Sequence, residues 1–270
     1  MVPLFLALLS TPTATASTAG VSPSWIDAPV VPGQTTRFQI NVANESRGLL
    51  NFDAAVGDVW YHPDTMTAVY PPAGTSPLSV AAYTTVFPER LAVPPGEVAA
   101  FTVTVTTPED TDSSLFGAVV IQSRPYQADV QTTMAQTALS FRVPMLLAPS
   151  ERGQHELSVR SAVVVPPADA TPGQLVLDIE NVGTVHERPN VRAVVRDTES
   201  GSVIATIAGE SPKYYLPGQN REAAFPWSAS LGPGTYDVLG AIRYGTEGVT
   251  PVQAQLVIPA AEPPTDQASP

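Results

Sequence analysis

The chain has 270 residues, a hydrophobic fraction of 43% and a charged fraction of only 14%, with 29 prolines against 18 glycines. So few charges cannot solvate the outer faces of long helices, and prolines spread along the chain interrupt them. A formal charge of −12 repels a phosphate backbone and an anionic membrane surface, and the absence of cysteine removes disulfides, thiolate nucleophiles and cysteine zinc sites.

At the N-terminus, the apolar run Leu4–Leu9 is followed by Ala14-Thr15-Ala16. An apolar stretch ending in a small-x-small triplet reads as a secretory signal peptide, residues 1–16, cleaved after Ala16. No later stretch approaches the roughly 20 apolar residues that a spanning helix needs. The expectation is a periplasmic or secreted cell-envelope protein with no integral membrane segment after cleavage. The Pro-rich, polar tail 260–270 is expected to be disordered.

Between the ends stand Pro32-Gly33, Pro95-Gly96, Pro172-Gly173, Pro217-Gly218 and Pro233-Gly234. Proline presets φ for the second turn position and glycine accepts the positive φ of the third, so each reads as a type II turn. An alternating run follows each turn: Thr36-Phe38-Ile40-Val42, Phe101-Val103-Val105, Leu175-Leu177-Ile179, Ala223-Phe225 and Tyr236-Val238. Period two in β-branched and aromatic residues predicts half-buried strands, and no 3.6-residue period longer than two turns competes. The fold class is therefore all-β, as two immunoglobulin-like sandwiches in tandem. The apolar strand ending at Ala148-Pro149 and the polar stretch Ser150–Gln154 place the boundary, giving domains at 17–149 and 150–259.

The catalytic inventory is poor. His62, His155 and His186 share no metal-ligand spacing, and no HExxH, GxSxG or phosphate-cradling glycine loop occurs. His62 reads as a surface turn residue, and His186 as a loop imidazole bonding backbone groups. Glu109-Asp110-Thr111-Asp112 lacks the glycine and bidentate glutamate of a calcium loop and reads as a solvated turn. Asn44-Glu45-Ser46 is a formal glycosylation sequon. Trp25, Trp60 and Trp227 read as core or rim aromatics. The expectation is no enzyme, no metal, no cofactor and no nucleic-acid partner.

The stretch Thr137–Pro149 carries the most information. Leu139, Phe141, Val143 and Met145 fall on one face of a strand, and Ser140, Arg142 and Pro144 on the other. Four large apolar side chains in strict alternation must be covered. Either this last strand packs the opposite sheet, or it lies at an open edge and lends its row to another protein by β-strand addition. Pro144 removes one backbone donor and blunts such an edge.

Pro88–Glu97, followed by Phe101–Val105, resembles the first domain of PapD-like periplasmic pilus-assembly chaperones. Ser140–Pro149 is similar to the last strand of that domain, which ends in a proline at the interdomain corner. The resemblance implies that Leu139, Phe141, Val143 and Met145 are donated to an incomplete subunit. In the family an arginine of the first strand and a lysine of the last anchor the subunit's C-terminal carboxylate. Here Val21–Asp27 has no basic residue, Pro144 stands at the lysine position, and Lys213 is the chain's single lysine. Arg142 is the nearest substitute anchor. Asn181–His186, Leu216-Pro217-Gly218 and Pro233-Gly234-Thr235-Tyr236 are similar to the second immunoglobulin-like domain of bacterial exported proteins whose first domain is PapD-like or of the WxL-interacting type.

The function expected is that of a non-enzymatic, chaperone-like protein binding exported or surface proteins, pilin-like subunits among them, through an edge strand. The other expectation is a structural or adhesive envelope module binding surface proteins or cell-wall polymer.

Overall fold

The computed structural model describes residues 18–62, 67–124, 138–168 and 171–260. The expected signal peptide and the tail beyond 260 lie outside the described residues, as does Thr137.

The first sandwich is built from β1 (Ala19–Ser22), β2 (Ile26–Val30), β3 (Thr35–Asn44), β4 (Leu50–Gly57), the short β5 (Trp60–Tyr61) and β6 (Ala68–Val69), β7 (Thr84–Phe87), β8 (Arg90–Val93), β9 (Val98–Thr106), β10 (Leu115–Ser123) and β11 (Ser140–Pro149). One sheet runs β1-β3-β9-β7 and faces a second in the order β2-β11-β10-β4-β8. Period-two alternation decides which side chains meet between them. Ile40, Val42, Phe101, Val103 and Val105 come from the first sheet, and Phe52, Val119, Ile121, Val143 and Met145 from the second. The threonines between the apolar residues of β9 face away from that core. The N-terminal segment serves both sheets. β1 pairs antiparallel with β3, and β2 then crosses over to run parallel to β11, from Met145 opposite Ile26 to Pro149 opposite Val30.

The second sandwich contains β12 (Leu157–Val165), β13 (Gly173–Asn181), β14 (Asn190–Asp197), β15 (Val203–Glu210), β16 (Asn220–Trp227), β17 (Gly234–Tyr244) and β18 (Gly248–Ile258). Its sheets run β12-β13-β16 and β15-β14-β17-β18. They enclose a separate core that includes Leu175, Leu177, Ile179, Val191, Val195, Phe225, Trp227 and Val238. Among the described residues the only helical piece is a 3₁₀ turn at Ala81–Tyr83.

Three of the Pro-Gly pairs make the expected turns. Gly33, Gly96 and Gly218 have φ of 78°, 75° and 73°, and Gln34, Glu97 and Gln219 donate back to the carbonyls of Val31, Pro94 and Leu216. The other two do not, because Gly173 and Gly234 already begin β13 and β17 and lack positive φ. At Gly173 the glycine answers a close approach instead. A Cβ there would sit 2.7 Å from the Trp227 ring and 2.8 Å from the Val165 carbonyl.

A third apolar cluster joins the sandwiches. Phe116, Ala118 and Leu146, on the outer face of β10 and β11, pack with Val59 and with Leu216 of the second sandwich, and Trp60, Tyr61, Tyr70 and Tyr214 close around them. The β5–β6 hairpin and the segment from Tyr70 to Val80 therefore cover the outside of a first-domain sheet. The buried Asp58 carboxylate holds this cover in place, accepting from Ser76 N–H at 2.8 Å and from the Ser79 hydroxyl.

Candidate functional site

Strand edges decide where a partner strand could be added. In the second sandwich β12 lies against β18 and β15 against β16, closing both sides. In the first, β7 and β8 approach β4 and β9 and close one side. The opposite side is different. The register of β2 with β11 begins at Met145 opposite Ile26, and no described strand pairs with Ser140–Val143 on the side away from β10.

The parity of β11 tells which backbone groups face that opening. At one end Ser123 N–H donates to the Leu139 carbonyl, and at the other Ser150 N–H donates to Val30 of the β2 side. The register with β10 is continuous from Gln122 opposite Ser140 to Leu115 opposite Leu147. Odd residues therefore address β10, and even residues address the opening. The open edge offers the N–H and C=O of Ser140 and Arg142, while the Pro144 carbonyl already faces Ile26 N–H, where the pairing with β2 begins. A proline belongs at such a position, where its missing donor breaks no ladder bond.

The side chains are placed less simply. Val143 and Met145 are fully buried in the first core, Phe141 packs half-buried against it, and Leu139 is half-buried. The alternating row thus faces the opposite sheet along its second half. What β11 presents freely is main chain, with Leu139 and Phe141 beside it.

Arg142 is exposed on the other face of β11, its guanidinium 5.0 Å from the centre of the Tyr70 ring. The two border a shallow groove of about 370 Å³ with Asp53, Val120 and Gln122. Asp53 is already engaged, by Arg124 Nη2 at 2.8 Å and by Arg90 at 3.5 Å. The Arg124 hydrogen bond holds its carboxyl below the usual range.

The interdomain junction gathers a constellation that sequence reading missed. His186 Nδ1 lies 2.9 Å from Ser114 Oγ, and Nε2 donates to Asp27 Oδ1 at 3.2 Å. Ser114 Oγ also accepts from His186 N–H at 3.0 Å, and Tyr214 donates its hydroxyl to Asp27 Oδ2 at 2.6 Å. The His186 hydrogen bond is the main reason the Asp27 carboxyl is held low, against an opposing desolvation. Desolvation, then the bond to Asp27, pushes Tyr214 up to about 12. Serine, histidine and carboxylate in series are the parts of a nucleophilic triad. A nucleophile must be reached by substrate, however, and Ser114 is 0% exposed. The chemistry available here is mechanical. Asp27 and Ser114 belong to the first sandwich and His186 and Tyr214 to the second, so the bonds clasp the domains together. Thr184 Oγ1 to the Asp112 carbonyl at 2.8 Å and Arg152 to the Glu109 carbonyl at 2.8 Å extend the clasp. No local motif could have revealed it, because Asp27 and His186 are 159 positions apart.

The remaining sequence candidates have structural places. The acidic stretch 109–112 belongs to this interdomain loop, and among the described residues no group of three metal-ligating side chains forms. Asn44 is 1% exposed, its amide donating to the carbonyls of Gly48 and Val93, so the sequon asparagine is built into the fold. His155 is hydrogen-bonded to the Glu187 carboxylate, which also accepts from Gly245 N–H. Trp227 is core, Trp60 joins the interdomain cluster, and Trp25 stands edge-on to Tyr214 at the rim.

No protein-family model matches the sequence, and no curated protein matches it either. In fold the chain is similar to PapD-like fimbrial chaperones. The class 5 fimbriae chaperone CfaA superposes with a TM-score of 0.49 at 13% identity, over 89% of this chain and 100% of that one. The SafB chaperone, solved with the Salmonella enterica SafA pilin, gives 0.44 at 13% over 91% and 99%. The E. coli chaperone DraB gives 0.41 at 13% over 89% and 98%.

Proposed function

We propose that the protein is a non-enzymatic, chaperone-like binder of exported proteins, and that it holds a partner by adding one of the partner's strands to the open side of β11. The observation that carries this reading is the main chain of Ser140–Val143, which no described strand pairs on the side away from β10. Exposed strand edges are normally blunted or covered, because they template pairing. Here β12, β15, β16 and β18 of the second sandwich and β7 and β8 of the first lie beside neighbours, while β11 keeps donors and acceptors facing outward among the described residues. The partner is an exported subunit of pilin type, and the work is done in the cell envelope. Leu139 and Phe141 give the added strand an apolar neighbour, while Val143 and Met145 stay in the core. Arg142, held over Tyr70 beside the edge, serves as the anchor for a partner carboxylate.

The test uses a proline substitution. Arg142 N–H faces the opening, so Arg142→Pro removes a donor from the edge without breaking a bond to β10. The tagged mature chain, Arg142→Ala and Arg142→Pro are passed over envelope extract, and the captured protein is identified and titrated. One backbone hydrogen bond contributes about 1 kcal/mol, so Arg142→Pro should weaken capture about fivefold relative to Arg142→Ala. Equal capture by the two variants refutes addition at this edge and leaves a structural or adhesive envelope module as the reading.

A further inference from the structure

Arg221 has no evident reason to be charged. It lies on β16 with its side chain on the inward face, in line with Ala223, Phe225 and Trp227, at the end of the second core nearest the first sandwich. It is 3% exposed. Its Nη2 donates to Gln219 Oε1 at 2.6 Å, whereas Nε and Nη1 have no partner. The face of Tyr61 lies over it, with the ring centre 4.6 Å away, and Tyr215 is the second tyrosine that bears on its charge. Burial lowers the affinity of the guanidinium for its proton, but arginine keeps that proton in proteins. A buried charge without a counterion is costly, and methionine or leucine would fill the same volume without the cost.

The cover over this charge is slight. Tyr61 sits on the two-residue strand β5, paired only with β6, and Gln219 Nε2 ties it down through the Tyr61 carbonyl at 3.1 Å. The same hairpin borders an apolar groove of about 510 Å³ lined by Trp60, Val69, Tyr70 and Pro77.

We propose that Arg221 is the floor of a covered anion site that takes a single carboxylate when Tyr61 moves aside. The two in-plane oxygens of a carboxylate match either fork of a guanidinium, Nε–H with one Nη2 hydrogen or Nη1–H with the other, and each fork of Arg221 includes an unpartnered nitrogen. The chain's charge of −12 disfavours multiply charged anions such as phosphate. The site is separate from the β11 edge and stands or falls without it.

The test uses the full mature chain at fixed ionic strength. Sodium acetate is titrated against sodium chloride, with acetamide as the neutral control, and the midpoint of thermal unfolding is followed. A ligand that binds only the folded state raises that midpoint with concentration. Acetate should raise it where chloride and acetamide do not, Arg221→Met should abolish the effect, and Tyr61→Ala should lower the half-saturating acetate concentration at least tenfold. An equal response in Arg221→Met overturns the proposal, and so does indifference to acetate in both the parent and Tyr61→Ala. Should Arg221→Met fail to fold, the Tyr61→Ala titration decides alone, because an uncovered site must bind acetate more tightly. The source of the carboxylate is read from acetyl-trialanine as free acid and as amide. Tighter binding of the acid than of acetate assigns a peptide terminus, and equal binding assigns a free small carboxylate.

Discussion

Met145→Ala separates the two roles that the alternating row of β11 could play. Met145 is 0% exposed and sits in the first core with Ile26, Val119 and Val143. Truncation removes three heavy side-chain atoms from a closely packed site, for which a loss of about 3 kcal/mol is expected. Val143→Ala removes two carbons from the same core and should cost about 2 kcal/mol. For a sandwich of this size the first of these lowers the unfolding midpoint by about 10 °C. Ser140→Ala, on the exposed face of the same strand, should stay within about 0.5 kcal/mol of the parent. Urea unfolding followed by far-ultraviolet circular dichroism and tryptophan fluorescence measures all three, with the transition of the first sandwich taken by itself. The reasoning is refuted if Met145→Ala unfolds with the parent midpoint yet captures partner poorly. That pair of results would put the methionine on a binding surface.

The interdomain clasp predicts two flanks in the pH dependence of stability. Asp27 titrates lower folded than unfolded, so its contribution is complete above its ordinary value of 3.8 and fades as pH falls through the depressed value. Tyr214 titrates higher folded, near 12 against 10, so its contribution is complete below pH 10 and is lost as pH rises toward 12. Unfolding midpoints measured across both windows should flatten on the acid side in Asp27→Asn and on the alkaline side in Tyr214→Phe; unchanged flanks would count against the clasp. Gly240→Ala should destabilise the second sandwich by more than about 2 kcal/mol through overpacking. Its Cβ would stand 2.3 Å from the Arg192 carbonyl and 2.4 Å from the Ala193 Cβ, and a neutral result in urea titration would contradict this contact.

The strands were legible because their signal is local. Phe101, Val103 and Val105 alternate with threonines, and burial follows that alternation residue by residue. The turn at Pro95-Gly96 was legible for the same reason, since four consecutive residues define it. Gly173 was misread because its neighbours in sequence say nothing of Trp227, which packs on it from β16. The row of β11 was legible as a face but not as a destination. Whether Val143 meets a core or a partner depends on which strand flanks β11, and β2 comes from the other end of the domain. His186 and Arg221 show the limit most plainly. One binds Ser114 and Asp27 across the domain junction and the other lies beneath Tyr61, and no window along the chain contains either pair.

β2 also limits what can be laid beside β11. An incoming segment that advances from Ser140 has about 13 Å of ladder unoccupied by described strands, at roughly 3.3 Å per residue, before it collides with Ile26 and the rim indole of Trp25. Its alignment is then fixed by where it is halted. Lengthening the leading tip of a bound peptide by two residues should therefore leave the set of amides protected from hydrogen exchange unaltered, with the surplus hanging free past the junction.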